Sequence, residues 1–394
     1  MNSFDFHRLR HGLVTTAAGL TLAASPSWAA NGTQPGGYGI KNAMMGGASI
    51  ALPLDSSAAA NNPAGMAYVG NTSSLNMQVF NGRSSSNYVL PGNELSNNST
   101  SPTPDGGGNW TLGSDPTAGF SLAAFGAGAD YGQPALPLPG AANAEASLQV
   151  LDVIPALSWR PRPDVALGIG IDLAYQRFNA QGVIVPTPVG PAELPGYGTQ
   201  AAWGYGLRLG VLWQATPELW FGANYKTVTK MGRLSGYENT LLATSDGKID
   251  LPAQYGVGIS WRPARGVTLA ADWLRIEWSG IKLMQDPNAF YWQDQQVLRG
   301  GVQWEIDPTW TVRAGLAGNK AQVLATNLNA NLLTPSINTR AYTAGVSMRW
   351  DKANEFSLGY EYNPKTTMTG TGPSTGTTLS STVQFVMFGW QHDF

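Results

Sequence analysis

The chain has 394 residues, a formal net charge of −2 and no cysteine. Charged residues make up 12% of it, roughly half the usual share, while Gly (48) and Trp (14) are abundant. This composition excludes a strongly solvated disordered chain and gives no indication of nucleic-acid binding. The lack of cysteine excludes disulfides and thiol chemistry.

The N-terminus has the three parts of a secretory signal. A basic stretch at residues 7–10 precedes an apolar run, Leu13–Ala24, and small residues follow up to Ala29. We predict a signal peptide at residues 1–29. No later apolar run is long enough to cross a membrane as a helix, so the sequence favours a secreted, periplasmic or outer-membrane barrel protein.

The next segment, residues 30–71, lacks the alternation of a strand. It is rich in small residues, carries few charges and includes the stretch DSSAAANNPAGM at 55–66. The alanines favour a helical turn, and Asn62 and Pro63 end it. A surface domain of this length would normally carry more charge. We therefore predict that it folds inside the barrel formed by the strands that follow.

The rest of the chain reads as strands joined by short turns and long loops in alternation. The quartets Ser158–Pro161 and Ser260–Pro263 have the same sequence, and each joins two alternating runs. A Trp stands beside nearly every short turn, as in an aromatic girdle at one rim of a barrel. Short turns at one end and long loops at the other are the outer-membrane pattern, although an aromatic-rich soluble β-sandwich is the alternative.

Alternation and turn signals identify thirteen strands, and bacterial barrels usually have an even number. A turn-like quartet at 114–117 implies one further short strand near Gly106–Gly113, so we predict a transmembrane antiparallel β-barrel of about fourteen strands at residues 72–394. The predicted strands are 73–84, 106–113, 118–130, 146–160, 164–178, 199–214, 218–232, 247–262, 266–279, 294–306, 309–320, 339–350, 355–368 and 380–394.

Alternation also sorts the side chains into two faces. In the run 203–213, aromatic and aliphatic residues share one face, while Arg208 and three glycines share the other. The apolar face should meet lipid, because Arg or Lys at mid-depth costs roughly 2–4 kcal/mol there. A soluble barrel would show the reverse. The charges predicted to point inward are Asp152, Lys226, Asp272, Arg299, Arg313, Arg349 and Glu361.

The last predicted strand ends on Phe394, after alternating apolar residues. A terminal aromatic closing such a strand resembles the assembly signal of outer-membrane barrels. We expect this strand to be recognised by the barrel-assembly machinery, and the barrel itself to lie in outer-membrane lipid.

The predicted N-terminal plug carries a more specific resemblance. The run GGYGIKNAMMGGA at 36–48, followed by Asp55 and then by Asn62, Pro63 and Ala64, resembles the hatch of the FadL/TodX family. These are outer-membrane transporters of long-chain fatty acids and aromatic hydrocarbons. The resemblance implies a fourteen-stranded barrel with an N-terminal hatch, in agreement with the strand count.

The resemblance further implies that the Asn62–Ala64 segment lies near an inward kink in the third strand, which makes a side opening in the wall. Gly126 and Gly128 are the candidates for this kink, because Gly weakens a strand. They could equally serve packing in the lumen.

We predict passive uptake of a hydrophobic small molecule. A fatty-acid carboxylate would need a cation in the lumen, whereas an aromatic hydrocarbon would not. These cations could instead pair with acids and only hold the barrel together. The candidate cations are Arg208, Lys226, Arg299 and Arg313.

Two other classes of function fit the sequence less well. A hydrolase would usually need a His base, yet His7 and His11 lie in the predicted signal peptide and His392 ends a strand. We therefore predict no enzyme, no cofactor and no metal site. An adhesin, or another outer-membrane barrel without a transport role, is the alternative because the loops are long.

Overall fold

A computed structural model describes residue 34 and residues 36–113 and 115–394. The predicted signal peptide, residues 1–29, lies outside the described residues. Among these described residues, four short α-helical turns are present, at Ile40–Ala43, Ala58–Asn61, Met66–Val69 and Lys282–Gln285. Within the described part of the chain, no helix is both long and apolar enough to cross a membrane.

Seventeen strands account for most of the described chain. They are β1 (Thr72–Asn87), β2 (Glu94–Thr111), β3 (Thr117–Asp130), β4 (Glu145–Arg162), β5 (Val165–Gln181), β6 (Ile184–Thr187), β7 (Gly190–Glu193), β8 (Gln200–Gln214), β9 (Leu219–Lys226), β10 (Lys230–Met231), β11 (Ala253–Ala264), β12 (Val267–Glu277), β13 (Gln295–Glu305), β14 (Trp310–Asn319), β15 (Arg340–Arg349), β16 (Asn354–Thr369) and β17 (Thr378–Asp393).

Antiparallel pairing closes the sheet into a barrel. Each wall strand pairs with its neighbours in the chain, β1 pairs with β17, and β8 pairs with both β5 and β9. The hairpin β6–β7 stands apart, and the two-residue β10 continues the β9 side of the wall along β8. The wall therefore has fourteen strands, and the predicted barrel is confirmed.

The two faces are sorted as the alternation predicted. On β8, Trp203 and Tyr205 are each 67% exposed on the outer face, whereas Arg208 on the inner face is 6% exposed. The Trp residues that precede short turns, Trp159 and Trp261 among them, are exposed on the outside. An apolar outer surface with an aromatic rim is the arrangement that a lipid bilayer requires.

One prediction about the wall was wrong. The second strand was expected to be short, near Gly106–Gly113, but β2 runs for 18 residues from Glu94 to Thr111. After Glu94 and Leu95, its first half consists of Ser, Asn, Thr and Pro on both faces, so it carries no apolar alternation. Continuous pairing with β1, from Asn87 opposite Glu94 to Thr72 opposite Asn109, holds it extended.

Candidate functional site

Residues 36–71, here called the inner segment, pack against inner faces of the wall. Glycines allow this approach: a Cβ on Gly210 would come within 1.9 Å of the Asn62 side chain, and one on Gly315 within 2.1 Å of the Gly46 nitrogen. Because these glycines lie on strands on different sides of the barrel, the inner segment is in contact with several parts of the wall.

The residues of the predicted hatch motif are buried within the inner segment. Asp55 accepts a hydrogen bond from the Ser57 amide at 2.8 Å, just before the helical turn Ala58–Asn61. Asn62 accepts from the Ala64 amide at 3.2 Å and donates to the Ile50 carbonyl at 2.7 Å. Pro63 begins a 3₁₀ turn, where its missing N–H costs nothing.

The wall contacts of this motif differ from the expectation. Asn62 donates to the Val211 carbonyl of β8 at 3.1 Å, and Gly168 of β5 lies against Pro63 and Ala64. The motif therefore lies on β5 and β8 rather than on the third strand. Residues earlier in the segment reach β3: Ser121 donates to the Ser56 carbonyl at 3.0 Å, and the turn Ala58–Asn61 packs nearby.

Polar groups of the wall anchor the inner segment through its backbone. The Asp272 carboxylate on β12 accepts from the amides of Ser49 at 2.7 Å and Ile50 at 3.1 Å. Thr343 on β15 accepts from the Gly46 amide and donates to the Met44 carbonyl, both at 2.9 Å. These bonds satisfy buried backbone groups that would otherwise be costly to enclose.

The inner segment also carries one buried ion pair with the wall. The Nζ atom of Lys41 lies 2.7 Å from the carboxylate of Glu355 on β16. Burial lowers the pKa of Lys41, and the adjacent Glu355 opposes that shift. Burial likewise raises the pKa of Asp55, with Lys41 opposing. Separating Lys41 from Glu355 without water would leave the buried Lys41 ammonium unpaired, whereas Glu355 would keep its ion pair with Arg349 at 2.8 Å.

Arg208, one of the four candidate cations, is fully engaged. It pairs with Asp172 on β5 and Asp152 on β4, the latter at 3.2 Å, and donates to the Ala60 carbonyl of the inner segment. Three strands and the inner segment therefore meet at one guanidinium. Its planar fork can serve several oxygens at once, which a Lys could not do.

We expect Arg208→Met to lower the free energy of unfolding by about 3–5 kcal/mol, because two buried carboxylates would lose their shared partner. Denaturant titration of the refolded barrel in lipid vesicles measures this. Arg177→Met is the control, since Arg177 lies exposed on the outer face of the same wall; it should change stability by no more than about 0.5 kcal/mol. Equal effects of the two substitutions would refute the assignment.

The other three candidate cations are also buried on the inner face. Arg313 donates to Gln303 at 2.8 Å and to Ser347, and Arg299 donates to the Gly47 carbonyl at 3.2 Å. The Nζ atom of Lys226 has no hydrogen-bond partner among the residues that the structure describes. Arg208, Lys226 and Arg299, but not Arg313, line a cavity of about 40 Å³ between the wall and the inner segment.

The wall has a discontinuity between β2 and β3. Pairing between them ends at Asp105 opposite Ala123, although β2 continues back to Glu94 and β3 on to Asp130. Asp105 stays with β1, accepting from Asn76 at 2.7 Å and Gln78 at 2.9 Å. β2 thus stays paired with β1, while β3 stays paired with β4. Between β2 and β3, about half of each strand has no ladder.

Gly126 and Gly128 lie on this unpaired half of β3. They still pair with β4, and a Cβ on Gly126 would come within 2.0 Å of the Leu148 carbonyl. On β2, the unpaired stretch contains Pro102 and Pro104, which have no N–H to donate to a neighbouring strand.

The long loops, at the end of the barrel opposite the short turns, enclose an apolar cluster, here called the loop core. It includes Trp278 and Trp292, whose indole N–H groups donate to Gln295 at 2.9 Å and Asn331 at 2.6 Å. Its buried members are Phe178, Ala180, Ala202, Leu234, Tyr237, Leu242, Ile249, Leu274, Ile276, Trp278, Ile281, Leu283, Met284, Trp292, Val297, Val323, Leu328, Ile337 and Leu379. This cluster was not predicted from the sequence, because most of its residues come from loops without periodicity.

A second apolar cluster connects the loop core with the unpaired half of β3. Its buried members are Phe125, Val150, Ala174, Met231 and Leu251. Leu148 packs against both this cluster and the loop core. Apolar side chains therefore continue from the loops, past Leu148, to Phe125 on the unpaired half of β3.

Among the described residues, no group of three or more His, Cys, Asp or Glu side chains could hold a metal ion. The inner face supplies polar anchors, buried cations and apolar surface. This arrangement combines apolar surface with hydrogen-bonding groups at a few positions, as small-molecule sites do.

Comparison with known proteins agrees with this architecture. The barrel is similar to that of the P. putida toluene transporter TodX, with a TM-score of 0.72 at 18% identity, covering 92% of this chain and 99% of that one. A Pseudomonas aeruginosa FadL homologue gives 0.72 at 16% identity, covering 94% and 100%. The Ralstonia pickettii toluene transporter TbuX gives 0.66 at 18% identity, covering 91% and 98%.

No curated protein sequence matched the chain. Residues 14–390 match the family described as outer membrane protein transport protein (OMPP1/FadL/TodX). Since this match covers nearly the whole sequence, the chain belongs to the OMPP1/FadL/TodX family of outer-membrane transport proteins.

Proposed function

We propose that this protein admits hydrophobic small molecules, long-chain fatty acids or aromatic hydrocarbons, by passive diffusion across the outer membrane. The observation that carries the proposal is the apolar continuity from the loop core through Leu148 to Phe125. Apolar ligands partition poorly into water, so a route lined by apolar side chains favours them over ions and sugars.

We infer that the ligand leaves sideways, between β2 and β3. The ladder there ends at Asp105 and Ala123, and the apolar cluster around Phe125 lies directly behind the unpaired stretch. Two toluene transporters are among the solved structures of similar fold, which is consistent with an apolar ligand. An exit into the bilayer would spare the ligand from crossing a water-filled lumen.

The inner segment, which we propose is the plug, would control passage. The cavity lined by Arg208, Lys226 and Arg299 measures about 40 Å³. An apolar cavity that holds benzene is about 150 Å³, so this one holds a few waters at most. A ligand carboxylate could reach Lys226 or Arg299 only after the inner segment moved, and Arg208 and Arg313 are already engaged.

We also propose that β17 and the exposed Phe394 serve recognition by the barrel-assembly machinery, with lipid around the finished barrel. No step of the proposed transport requires a cofactor or a catalytic residue. Downhill movement of the ligand supplies the driving force.

Uptake measurements test the proposal. A strain lacking this protein should take up labelled toluene or labelled oleate more slowly at low external concentration, and the full-length chain should restore the rate. Sucrose uptake is the control and should not change. If neither hydrophobic ligand depends on the protein, the transport proposal fails.

A further inference from the structure

Gln176 on β5 is a buried amide without a partner. Its side chain is fully enclosed, and neither Nε2 nor Oε1 makes a hydrogen bond within the part of the chain that the structure describes. Enclosing an unsatisfied amide costs free energy, and native proteins keep few such groups.

Strand register shows what surrounds this amide. Gln176 lies opposite Val150 on β4 and Ala202 on β8, and Val150 lies opposite Phe125 on β3. Along β5 itself, the neighbours on the same face are Ala174 and Phe178. The two positions directly opposite Gln176 and its two same-face neighbours on β5 are thus apolar, and these residues belong to the loop core or to the cluster around Phe125.

The same register places Gln176 on the proposed ligand route, in the row of side chains that leads to the unpaired half of β3. A ligand moving from Phe178 towards Phe125 would pass directly over the amide. An apolar passage interrupted by a single donor and acceptor pair can distinguish ligands by one polar substituent, because a buried polar group left unpaired penalises the analogue that lacks it.

We propose that Gln176 hydrogen-bonds a neutral polar group on the ligand, so that the protein prefers hydrophobic molecules bearing one hydroxyl or carbonyl to hydrocarbons or carboxylates of the same size. This inference rests on the proposed function. A carboxylate beside Gln176 is disfavoured because Asp152 lies opposite Ala174, one row below, and Asp172 lies on the same strand and face. The cation of Lys226 lies further away, beside Arg208 in the row of Gly170. The guanidinium of Arg208 is already shared between those two acids.

The test uses three ligands that share one ring: toluene, p-cresol and p-toluate. Their equilibrium binding to the full-length barrel in lipid nanodiscs is measured by calorimetry, with empty nanodiscs subtracted. The wild type should bind p-cresol about tenfold more tightly than toluene, the net effect of one hydrogen bond. It should bind p-toluate more weakly than p-cresol.

Gln176→Leu should abolish the preference for p-cresol and leave toluene binding equal or tighter. The barrel should still form, because this substitution removes polar atoms that have no partner among the described residues. Gln296→Leu is the matched control, because Gln296 lies exposed on β13. This substitution should leave the ratio of p-cresol to toluene affinity at the wild-type value.

The outcomes separate the two proposals. Suppose that toluene binds, but that the ratio of the p-cresol affinity to the toluene affinity is the same in Gln176→Leu as in the wild type. The role of Gln176 is then refuted while the transport proposal stands. If none of the three ligands binds the wild-type barrel, the transport proposal itself fails.

Discussion

Gly126→Val should reduce uptake of a hydrophobic ligand by about tenfold or more, which corresponds to about 1.4 kcal/mol in the barrier to passage. A Cβ at position 126 would come within 2.0 Å of the Leu148 carbonyl, a backbone atom that cannot rotate away. β3 would have to shift relative to β4 at the place where its pairing with β2 has already ended. Initial rates of labelled toluene uptake in cells measure the effect.

Gly300→Val is the matched control. Gly300 lies on β13, and its added Cβ would meet only the Ala270 carbonyl, at 3.9 Å. Both variants should still show the heat-dependent shift in gel mobility that a folded barrel gives. Wild-type uptake by a folded Gly126→Val barrel would mean that the unpaired half of β3 is not the exit.

A second variant changes the β2 side of the same opening. In an extended β2–β3 register, Pro102 would face Gly126 and Pro104 would face Ala124. Replacing both prolines with Thr restores two N–H donors, so the ladder could lengthen and narrow the gap. Uptake should fall again, with the barrel intact; a rise in uptake would contradict the proposed side exit.

The sequence was sufficient to predict the wall because the bilayer imposes a simple rule. Alternation placed Trp203 and Tyr205 outside and Arg208 inside, and the structure agrees. The first half of β2 could not be predicted in this way. Its residues carry no apolar alternation, and only the partner strand β1 holds them extended.

The site was less accessible to sequence reasoning, because its contacts are long-range. Alternation placed Gly210 on the inner face, but it could not show that Gly210 would lie against Asn62. The candidate cations were selected because alternation places them on the inner face. That criterion does not show that Arg208 forms ion pairs with Asp152 and Asp172. Gln176 was not identified, since an isolated Gln in an alternating strand gives no signal until the register shows its neighbours.

Deleting residues 30–71 should raise the nonspecific conductance of the barrel in planar bilayers from near the bilayer baseline to the level of an open porin. Fourteen strands enclose more space than wall side chains can fill. In the described chain, the inner segment occupies that space through contacts with glycines such as Gly168, Gly222 and Gly315. Without it, the inner face would expose polar side chains to a continuous column of water.

The deletion also removes Lys41, one of the two partners of Glu355, and the carbonyl that Arg208 binds, so folding of the deleted barrel must be checked by its gel mobility. Gly315→Leu provides a second variant that keeps the chain whole. A side chain there would collide with Met45 and Gly46, which lie about 2 Å from the added Cβ, and should displace the inner segment. Gly300→Leu, on the outer face of the neighbouring strand, should leave conductance at the wild-type level. Unchanged conductance in both the deletion and Gly315→Leu would show that residues 30–71 do not close the lumen.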